Sequence, residues 1–114
     1  AAPGPMDGVG VWQMGGAVAE GTDTAYAWRD EPYLVVVEGA WESHDSPEHL
    51  AWARETERKL RARGGEGAYP GYLGVEPQPW EEWNEQAYGE ELDRLRDLKR
   101  RYDPDGVFGG PIDA

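Results

Sequence analysis

The most regular pattern of apolar and polar positions lies between residues 87 and 108. Four apolar residues recur there every three or four positions, and most positions between them are charged: Leu92, Leu95, Leu98 and Tyr102. This spacing predicts an amphipathic helix over residues 90–102 with one apolar stripe. The helix is expected to end at residues 103–106, Asp-Pro-Asp-Gly, because the residue before a proline is pushed out of the helical region and glycine favours a turn. Val107 and Phe108 are then expected to fold back as an apolar plug.

Alternating or continuous apolar runs bounded by turn-forming residues predict four β-strands. They cover residues 9–14, 24–29, 33–41 and 67–73. Between the third and fourth strands, residues 46–63 predict a helix, with Ser46 as its N-cap and Pro47 in its first turn. A shorter helix over residues 80–88 precedes the amphipathic one.

These elements predict an α+β fold, with an antiparallel four-stranded sheet in the order β-β-β-α-β-α and helices packed on one face. A hairpin of the second and third strands would place Trp28 opposite Leu34 and Tyr26 opposite Val36. The face formed by these side chains also carries Glu38. It would combine a large apolar area with one carboxylate.

The opposite face of that hairpin carries small or β-branched side chains, which allow helices to lie close: Ala25, Ala27, Val35 and Val37. We therefore expect the helices to cover this face. The aromatic face is then left open in a single copy, and a large bare apolar face is unfavourable in water. A ligand, a partner or a second copy is expected to close it, and a homodimer is the arrangement we predict.

The 114-residue chain carries 11 basic and 23 acidic residues, which gives a net charge of -12. Such a charge disfavours nucleic acid and anionic membranes as partners, because both would repel it. The lack of cysteine excludes disulfides, thiol catalysis and cysteine-based zinc sites. No apolar run has the length of a membrane span and no signal peptide is recognised, so we expect a cytoplasmic protein.

The length of the chain indicates one small domain. Residues 1–5, Ala-Ala-Pro-Gly-Pro, precede Met6 and have the composition of a cloning remnant. The expected domain therefore covers residues 6–114, with Met6 as the natural start.

Several short motifs follow one another in the order found in a known family. Residues 87–90, Ala-Tyr-Gly-Glu, and residues 98–108, Leu-Lys-Arg-Arg-Tyr-Asp-Pro-Asp-Gly-Val-Phe, resemble the C-terminal signature of the berberine bridge enzyme-like FAD-linked oxidases. The upstream matches are Gly15-Gly16-Ala17, Thr24-Ala25-Tyr26 with Arg29, residues 33–38 (Tyr-Leu-Val-Val-Val-Glu) with Trp41, and Gly67-Ala68-Tyr69. The resemblance covers residues 9–108 and reaches only the last part of such an enzyme. It implies that the large N-terminal domain, which holds FAD in the family, is not contained in these residues.

The chain departs from the family pattern at three places. Gly71 stands where a Tyr-x-Asn motif has asparagine, Glu91 stands where asparagine is usual, and residues 109–112 replace an end rich in Asn and Gln. At the last of these places, residues 109–112, the resemblance implies contacts with the flavin that the replaced residues would not make.

Glu38 and Tyr69 are the predicted catalytic residues. A carboxylate among Tyr26, Trp28 and Val36 would be partly desolvated, which suits it to proton transfer. The resemblance implies an acid/base or hydrogen-bonding role for Tyr69, and a phenol on an aromatic face can donate to a substrate carbonyl. A solvated edge carboxylate and a tyrosine packed in the core are the structural alternatives.

An apolar substrate-binding wall is expected beside them, and its predicted members are Trp12, Met14, Tyr26, Trp28, Leu34, Val36 and Gly71. His44 and His49 lie on either side of a helix start, which is a poor arrangement for a metal, so we predict two surface histidines and no metal site. No glycine-rich phosphate loop joins a strand to a helix, so this chain alone is not expected to bind a nucleotide.

Two functions fit these residues. The first is a cofactor-free, redox-neutral cyclase of a natural-product, polyketide-like pathway, which folds a flexible hydrophobic substrate for a (4+2) or conjugate-addition ring closure. The alternative is a non-catalytic subunit or fragment of an FAD-dependent oxidoreductase that supplies the substrate-binding sheet. Only this alternative involves FAD.

Overall fold

The computed structural model describes residues 1–21, 24–42, 46–72, 79–110 and 112. The chain forms two compact units, of which the first consists of Ala1–Gly16 and Glu31–Glu66 and the second of Ala17–Asp30 and Gly67–Ala114. Within the described residues, every helix is too short or too polar to span a lipid bilayer.

The first unit contains a two-stranded antiparallel sheet. Strand β1, Gly8–Gln13, pairs along its whole length with strand β2, Tyr33–Glu38. Valine and aromatic residues favour the pleated backbone of both strands. The Met14 amide donates to the Pro32 carbonyl at 2.9 Å, so the pairing continues one step beyond β1.

Helix α1, Pro47–Arg61, belongs to the same unit and contacts β2. Ser46 occupies the N-cap position and Pro47 the first helical position, as the sequence predicted. After the helix, the Gly65 amide donates to the Leu60 carbonyl at 3.2 Å, and Gly64 adopts a φ of +102° that favours glycine. Local sequence signals were therefore sufficient to predict where this helix begins and ends.

The second unit contains two helices joined by a 3₁₀ turn. Helix α2, Trp80–Tyr88, continues through Gly89–Glu91 into helix α3, Leu92–Tyr102. Gly89 has a φ of +49°, so the chain bends where glycine avoids strain. Ala87 and Leu92, on either side of the bend, are 0% and 4% exposed and form the apolar core of the described residues.

The Gln86 carbonyl, in the last turn of α2, accepts two hydrogen bonds from outside the helix. The Trp28 indole donates to it at 2.8 Å and the Ala68 amide at 2.9 Å. Carbonyls at the end of a helix lack partners within that helix and need them elsewhere when buried. This one atom therefore attaches two loop segments to α2.

The prediction of a four-stranded sheet is wrong, because the described residues contain only β1 and β2 as strands. Residues 24–30 form turns instead of the second strand. The Tyr26 amide bonds to the Thr24 carbonyl at 2.8 Å, and the Trp28 indole is directed at α2. Tyr26 and Trp28 thus bond within a turn and to a helix, and the strand that pairs with β2 is β1.

The predicted fourth strand is absent from residues 67–72, the described part of that segment. The Ala68 amide bonds to α2, and the Tyr72 amide bonds to the Tyr69 carbonyl at 3.0 Å in a turn. The fold is thus a small α+β arrangement in the order β-β-α-α-α over the described residues.

The two faces of the sheet also differ from the expectation. On the face expected to be covered, Val35 is 41% exposed and Val37 is half-buried. The register adds three side chains to this face that are each at least 46% exposed: Val9, Val11 and Tyr33. Leu34 and Val36, on the face expected to be open, are half-buried. The assignment of the covered face was wrong because it assumed pairing with residues 24–29, whereas the real partner strand places Trp12 beside Leu34.

The amphipathic helix α3 is confirmed, but only the beginning of its apolar stripe is buried. Leu92 is 4% exposed, while Leu98 is 41% and Tyr102 68% exposed. Val107 and Phe108 are 76% and 73% exposed, so the predicted apolar plug does not form.

Asp103 explains the open turn after α3. Its carboxylate, which is 8% exposed, accepts the Val107 amide at 2.7 Å, the Phe108 amide at 3.1 Å and the Lys99 ammonium. The hydrogen bond from Lys99 lowers the pKa of Asp103, burial opposes this, and the two amides lower it further. These bonds fix the backbone while leaving both apolar side chains uncovered.

We expect Leu92→Ala to destabilise the chain by about 2–5 kcal/mol, because it removes most of a buried side chain from a small core. Leu98→Ala, in the same helix but at a 41% exposed position, should cost less than half as much. Urea unfolding followed by far-ultraviolet circular dichroism measures both. Equal losses for the two variants would contradict the burial gradient along α3.

Candidate functional site

The register of β1 and β2 places four of the predicted site residues on one face of the sheet: Trp12, Leu34, Val36 and Glu38. Trp12 lies opposite Leu34, and a side chain at Gly10 would come within 2.3 Å of the Trp12 ring. The glycine therefore allows the indole to lie along the strand. The face carries an indole at one end and a carboxylate at the other.

Glu38 is exposed at the end of β2. The desolvation that would suit this carboxylate to proton transfer is not observed, and its catalytic role stays a prediction. Met14 is half-buried just beyond β1, and Trp12 remains 44% exposed. This face thus has the apolar surface expected of a binding wall, and part of it is exposed.

Three tyrosines and one arginine form a cluster in the second unit. The Tyr69 ring makes an edge contact with Tyr26 at a centroid distance of 6.0 Å and a tilted contact with Tyr72 at 5.6 Å. The Arg29 guanidinium lies over the Tyr26 ring at 5.4 Å and donates to the Val18 carbonyl at 2.6 Å. Tyr69 is 39% exposed, so its ring is oriented by neighbours while part of it stays accessible.

Gly71 belongs to the same cluster. A Cβ atom at this position would lie 2.9 Å from Cε1 of Tyr69, closer than real Cβ atoms come to a neighbour. The missing side chain therefore allows the Tyr69 ring to lie beside the backbone of residue 71. An asparagine there, as in the Tyr-x-Asn motif, would require the ring to move.

Trp28 has a structural role that the sequence did not reveal. Its indole donates to Gln86, and its ring would lie 2.3 Å from a Cβ atom at Gly67, whose φ is +69°. The indole is held between a glycine and the end of α2. Its predicted part in a substrate wall stays a prediction, but its N–H group is already used by the fold.

A buried carboxylate–histidine pair in the first unit was missed. The side chain of Asp7 is 0% exposed and lies 2.8 Å from Nδ1 of His49, whose ring is 14% exposed and stacks on Trp41 at 5.8 Å. The prediction of a surface His49 is wrong, and His44 lies outside the described residues. No local pattern could have found the pair, because 42 positions separate its members.

The Asp7 carboxylate is stabilised by several donors at once. It accepts the Gly4 amide at 2.7 Å and the Ala40 amide at 3.1 Å besides the imidazole. Burial alone would raise the pKa of Asp7, but the hydrogen bonds and the nearby His49 outweigh it and lower the pKa. The ionised carboxylate thus connects the segment before β1 to the end of β2 and to α1.

The described residues contain no group of three or more His, Asp or Glu side chains that could hold a metal ion. A cavity of about 170 Å³ lies in the second unit at the end of α3, lined by residues that include Lys99, Pro104, Phe108 and Ile112. Small-molecule sites usually need about 300 Å³ or more. This cavity alone is therefore too small for a drug-sized substrate.

Comparison with known proteins decides the family. The family model described as "Berberine and berberine like" matches residues 51–111, from α1 to beyond the Asp103 turn. The chain belongs to the berberine and berberine-like family. This berberine-like chain is 38% identical over 103 residues to the FAD-linked oxidoreductase OXR1 of Pyricularia oryzae, a match that covers 85% of this chain and 20% of that protein.

Two further relatives also match most of this chain but only a small share of their own length. The VAO-type flavoprotein oxidase VAO615 of Thermothelomyces thermophilus is 35% identical over 72% of the berberine-like chain and 15% of its own length. The uncharacterized FAD-linked oxidoreductase YvdP of Bacillus subtilis is 28% identical over 85% of this chain and 22% of its own length. The berberine-like chain therefore spans less than a quarter of each of these relatives.

We expect Asp7→Asn to lower the thermal midpoint by several degrees at neutral pH. Because the pKa of Asp7 is below its ordinary value of 3.8, its contribution to stability is complete above that value and is lost as the pH falls through the lowered pKa. The variant should therefore lose less stability than the parent as the pH falls from about 5 to about 2. Differential scanning calorimetry across this range measures the effect.

Asp93→Asn is the matched control, because the Asp93 side chain is 94% exposed. It should leave both the midpoint and its pH dependence nearly unchanged. If the thermal midpoint of Asp7→Asn changes with pH in parallel with that of the parent, the buried Asp7–His49 pair is not the source of the pH dependence.

Proposed function

We propose that this berberine-like chain is the substrate-side part of an FAD-dependent oxidoreductase and acts together with a flavin-binding part outside these residues. The observation that carries the proposal is the family match over residues 51–111. Relatives whose names contain flavin or FAD, with matches over most of this chain, support it.

The described residues do not fit FAD by themselves. A net charge of -12 repels the pyrophosphate of the cofactor. The described part also lacks a glycine-rich loop between a strand and a helix, which is a common cradle for such a group. We therefore assign the cofactor to another part of the assembly and the aromatic surfaces to the substrate.

The exposed aromatic side chains support a role next to a substrate. Trp12 on the sheet and Tyr69 in the tyrosine cluster are 44% and 39% exposed, and both are oriented by contacts within their own unit. Oriented aromatic surfaces position a ligand with little loss of side-chain freedom. In this proposal, Tyr69 donates a hydrogen bond to the substrate or exchanges a proton with it.

The cofactor-free cyclase stays an untested prediction. Its mechanism assigns carbonyl polarisation or proton transfer to Tyr69 or Glu38, and Glu38 is exposed. No observation of this structure therefore favours the cyclase over the oxidoreductase.

The proposal is tested on the whole natural polypeptide or complex that carries this chain, after purification and desalting. We expect the visible absorption bands of a bound flavin, whereas the 114-residue chain alone should stay colourless after incubation with FAD and desalting. The gene should encode a flavin-binding part in the same reading frame or beside it. A natural protein without flavin, encoded by a reading frame that begins at Met6, would contradict the proposal.

For a substrate that reduces the flavin, we expect Tyr69→Phe to slow flavin reduction by about 10²–10⁴-fold, because the phenol hydroxyl is lost from proton transfer. Stopped-flow absorbance of the flavin under anaerobic conditions gives the rate. Tyr72→Phe is the matched control at the neighbouring ring, which is 55% exposed, and should change the rate little. Equal effects of both substitutions would contradict a specific role for Tyr69.

A further inference from the structure

Two segments of the second unit are attached to one carbonyl at the end of α2. The Gln86 carbonyl accepts the Trp28 indole at 2.8 Å and the Ala68 amide at 2.9 Å. Ala68 directly precedes Tyr69, and Trp28 lies two positions after Tyr26. The same acceptor therefore fixes both of the segments whose tyrosine rings meet in the tyrosine cluster.

The Trp28 ring also packs on the chain just before Tyr69. A Cβ atom at Gly67 would lie 2.3 Å from Cε2 and 2.6 Å from Cδ2 of Trp28, so only a glycine lets the backbone come this close to the indole. Beside Trp28, a Cβ atom at Gly89 would lie 3.3 Å from Cβ of Ala27, so residues 26–29 pack closely on the bend after α2. The indole is thus bonded to α2 and packed on the segment that carries Tyr69.

The direction of the Tyr69 hydroxyl depends on these attachments. The Tyr69 ring contacts Tyr26 at a centroid distance of 6.0 Å and Tyr72 at 5.6 Å, and it remains 39% exposed. A ring with so much exposed surface is oriented mainly by its own backbone and by these two neighbours. A misplacement of about 1 Å at a reacting group can cost about 10²-fold in rate.

We propose that Trp28 is a positioning residue, which sets the place of the Tyr69 hydroxyl through its hydrogen bond to the Gln86 carbonyl and its packing on Gly67. This inference rests on the proposed function, in which Tyr69 donates a hydrogen bond to the substrate or exchanges a proton with it. It differs from the predicted part of Trp28 in a substrate wall. A wall residue contributes to substrate affinity, whereas a positioning residue contributes to the rate of the chemical step.

Trp28→Phe tests this role in the natural polypeptide or complex with its flavin, because it removes the N–H donor and keeps an aromatic ring. At saturating substrate, flavin reduction should slow by about 10–100-fold, while the half-saturating substrate concentration changes less than about twofold. Anaerobic stopped-flow absorbance over a range of substrate concentrations measures both. A higher half-saturating concentration with an unchanged limiting rate would assign Trp28 to the substrate wall and overturn the inference.

A double-mutant cycle shows whether Trp28 acts through Tyr69. Residues that act as a unit are non-additive, so Trp28→Phe should slow the reaction less than about threefold once Tyr69→Phe is present. Equal slowing in both backgrounds would indicate a general structural effect and overturn the inference. Trp80→Phe is the matched control, because this indole is 40% exposed at the other end of α2, and it should leave the rate unchanged in both backgrounds.

Trp28→His is a second variant that keeps a donor. Nε2 of histidine occupies the same place in the five-membered ring as Nε1 of tryptophan, so it can donate to the Gln86 carbonyl. It should retain most of the rate that Trp28→Phe loses, and it provides the test if Trp28→Phe does not retain its flavin. A Trp28→His protein that holds flavin and is as slow as Tyr69→Phe would contradict the hydrogen bond as the means of positioning.

Flavin content and the Tyr69 variant separate the possible failures. A flavin-containing assembly that is slowed by Tyr69→Phe but not by Trp28→Phe would overturn the role of Trp28 and leave the proposed function intact. If neither substitution slows flavin reduction, the roles of both residues are overturned. An assembly without flavin would overturn the proposed function and this inference with it.

Discussion

Buried carboxylates that each accept several hydrogen bonds stabilise the irregular segments of this chain. Asp7 binds two backbone amides and His49 in the first unit, and Asp103 binds two backbone amides and Lys99 in the second. The apolar core of the described residues is small, since Ala87 and Leu92 are its fully buried members. Segments without regular structure are therefore ordered mainly by polar contacts, and each carboxylate stays ionised because its donors outweigh the cost of burial.

This distribution of contacts explains why so much apolar surface remains uncovered. One face of the β1–β2 sheet and the segment after α3 carry valine, tyrosine and phenylalanine side chains that are largely exposed. The two-stranded sheet and the short helices of the described residues leave these side chains exposed. The chain belongs to the berberine and berberine-like family and matches only a minor part of the length of its flavin-linked relatives.

Local signals were sufficient for the helices and for the family. Ser46-Pro47 marked the start of α1, the spacing of Leu92, Leu95 and Leu98 marked α3, and glycine marked the bend at residue 89. The motifs over residues 87–108 indicate the family through their residue order alone. Such signals are contained within a few residues, so they do not depend on the rest of the chain.

The pairing of strands and the placement of the site residues depended on tertiary contacts. Residues 24–29 have the composition of a strand, yet Trp28 is drawn to the Gln86 carbonyl at the end of α2, 58 positions away. The partner of β2 is β1, and local propensity does not report which of two candidate segments pairs with a strand. The Asp7–His49 pair could not be predicted from local sequence patterns for the same reason. The sequence by itself determined the helices and the family. Only the tertiary structure decided which carboxylates are buried and which apolar faces stay open, because burial depends on segments far apart in the chain.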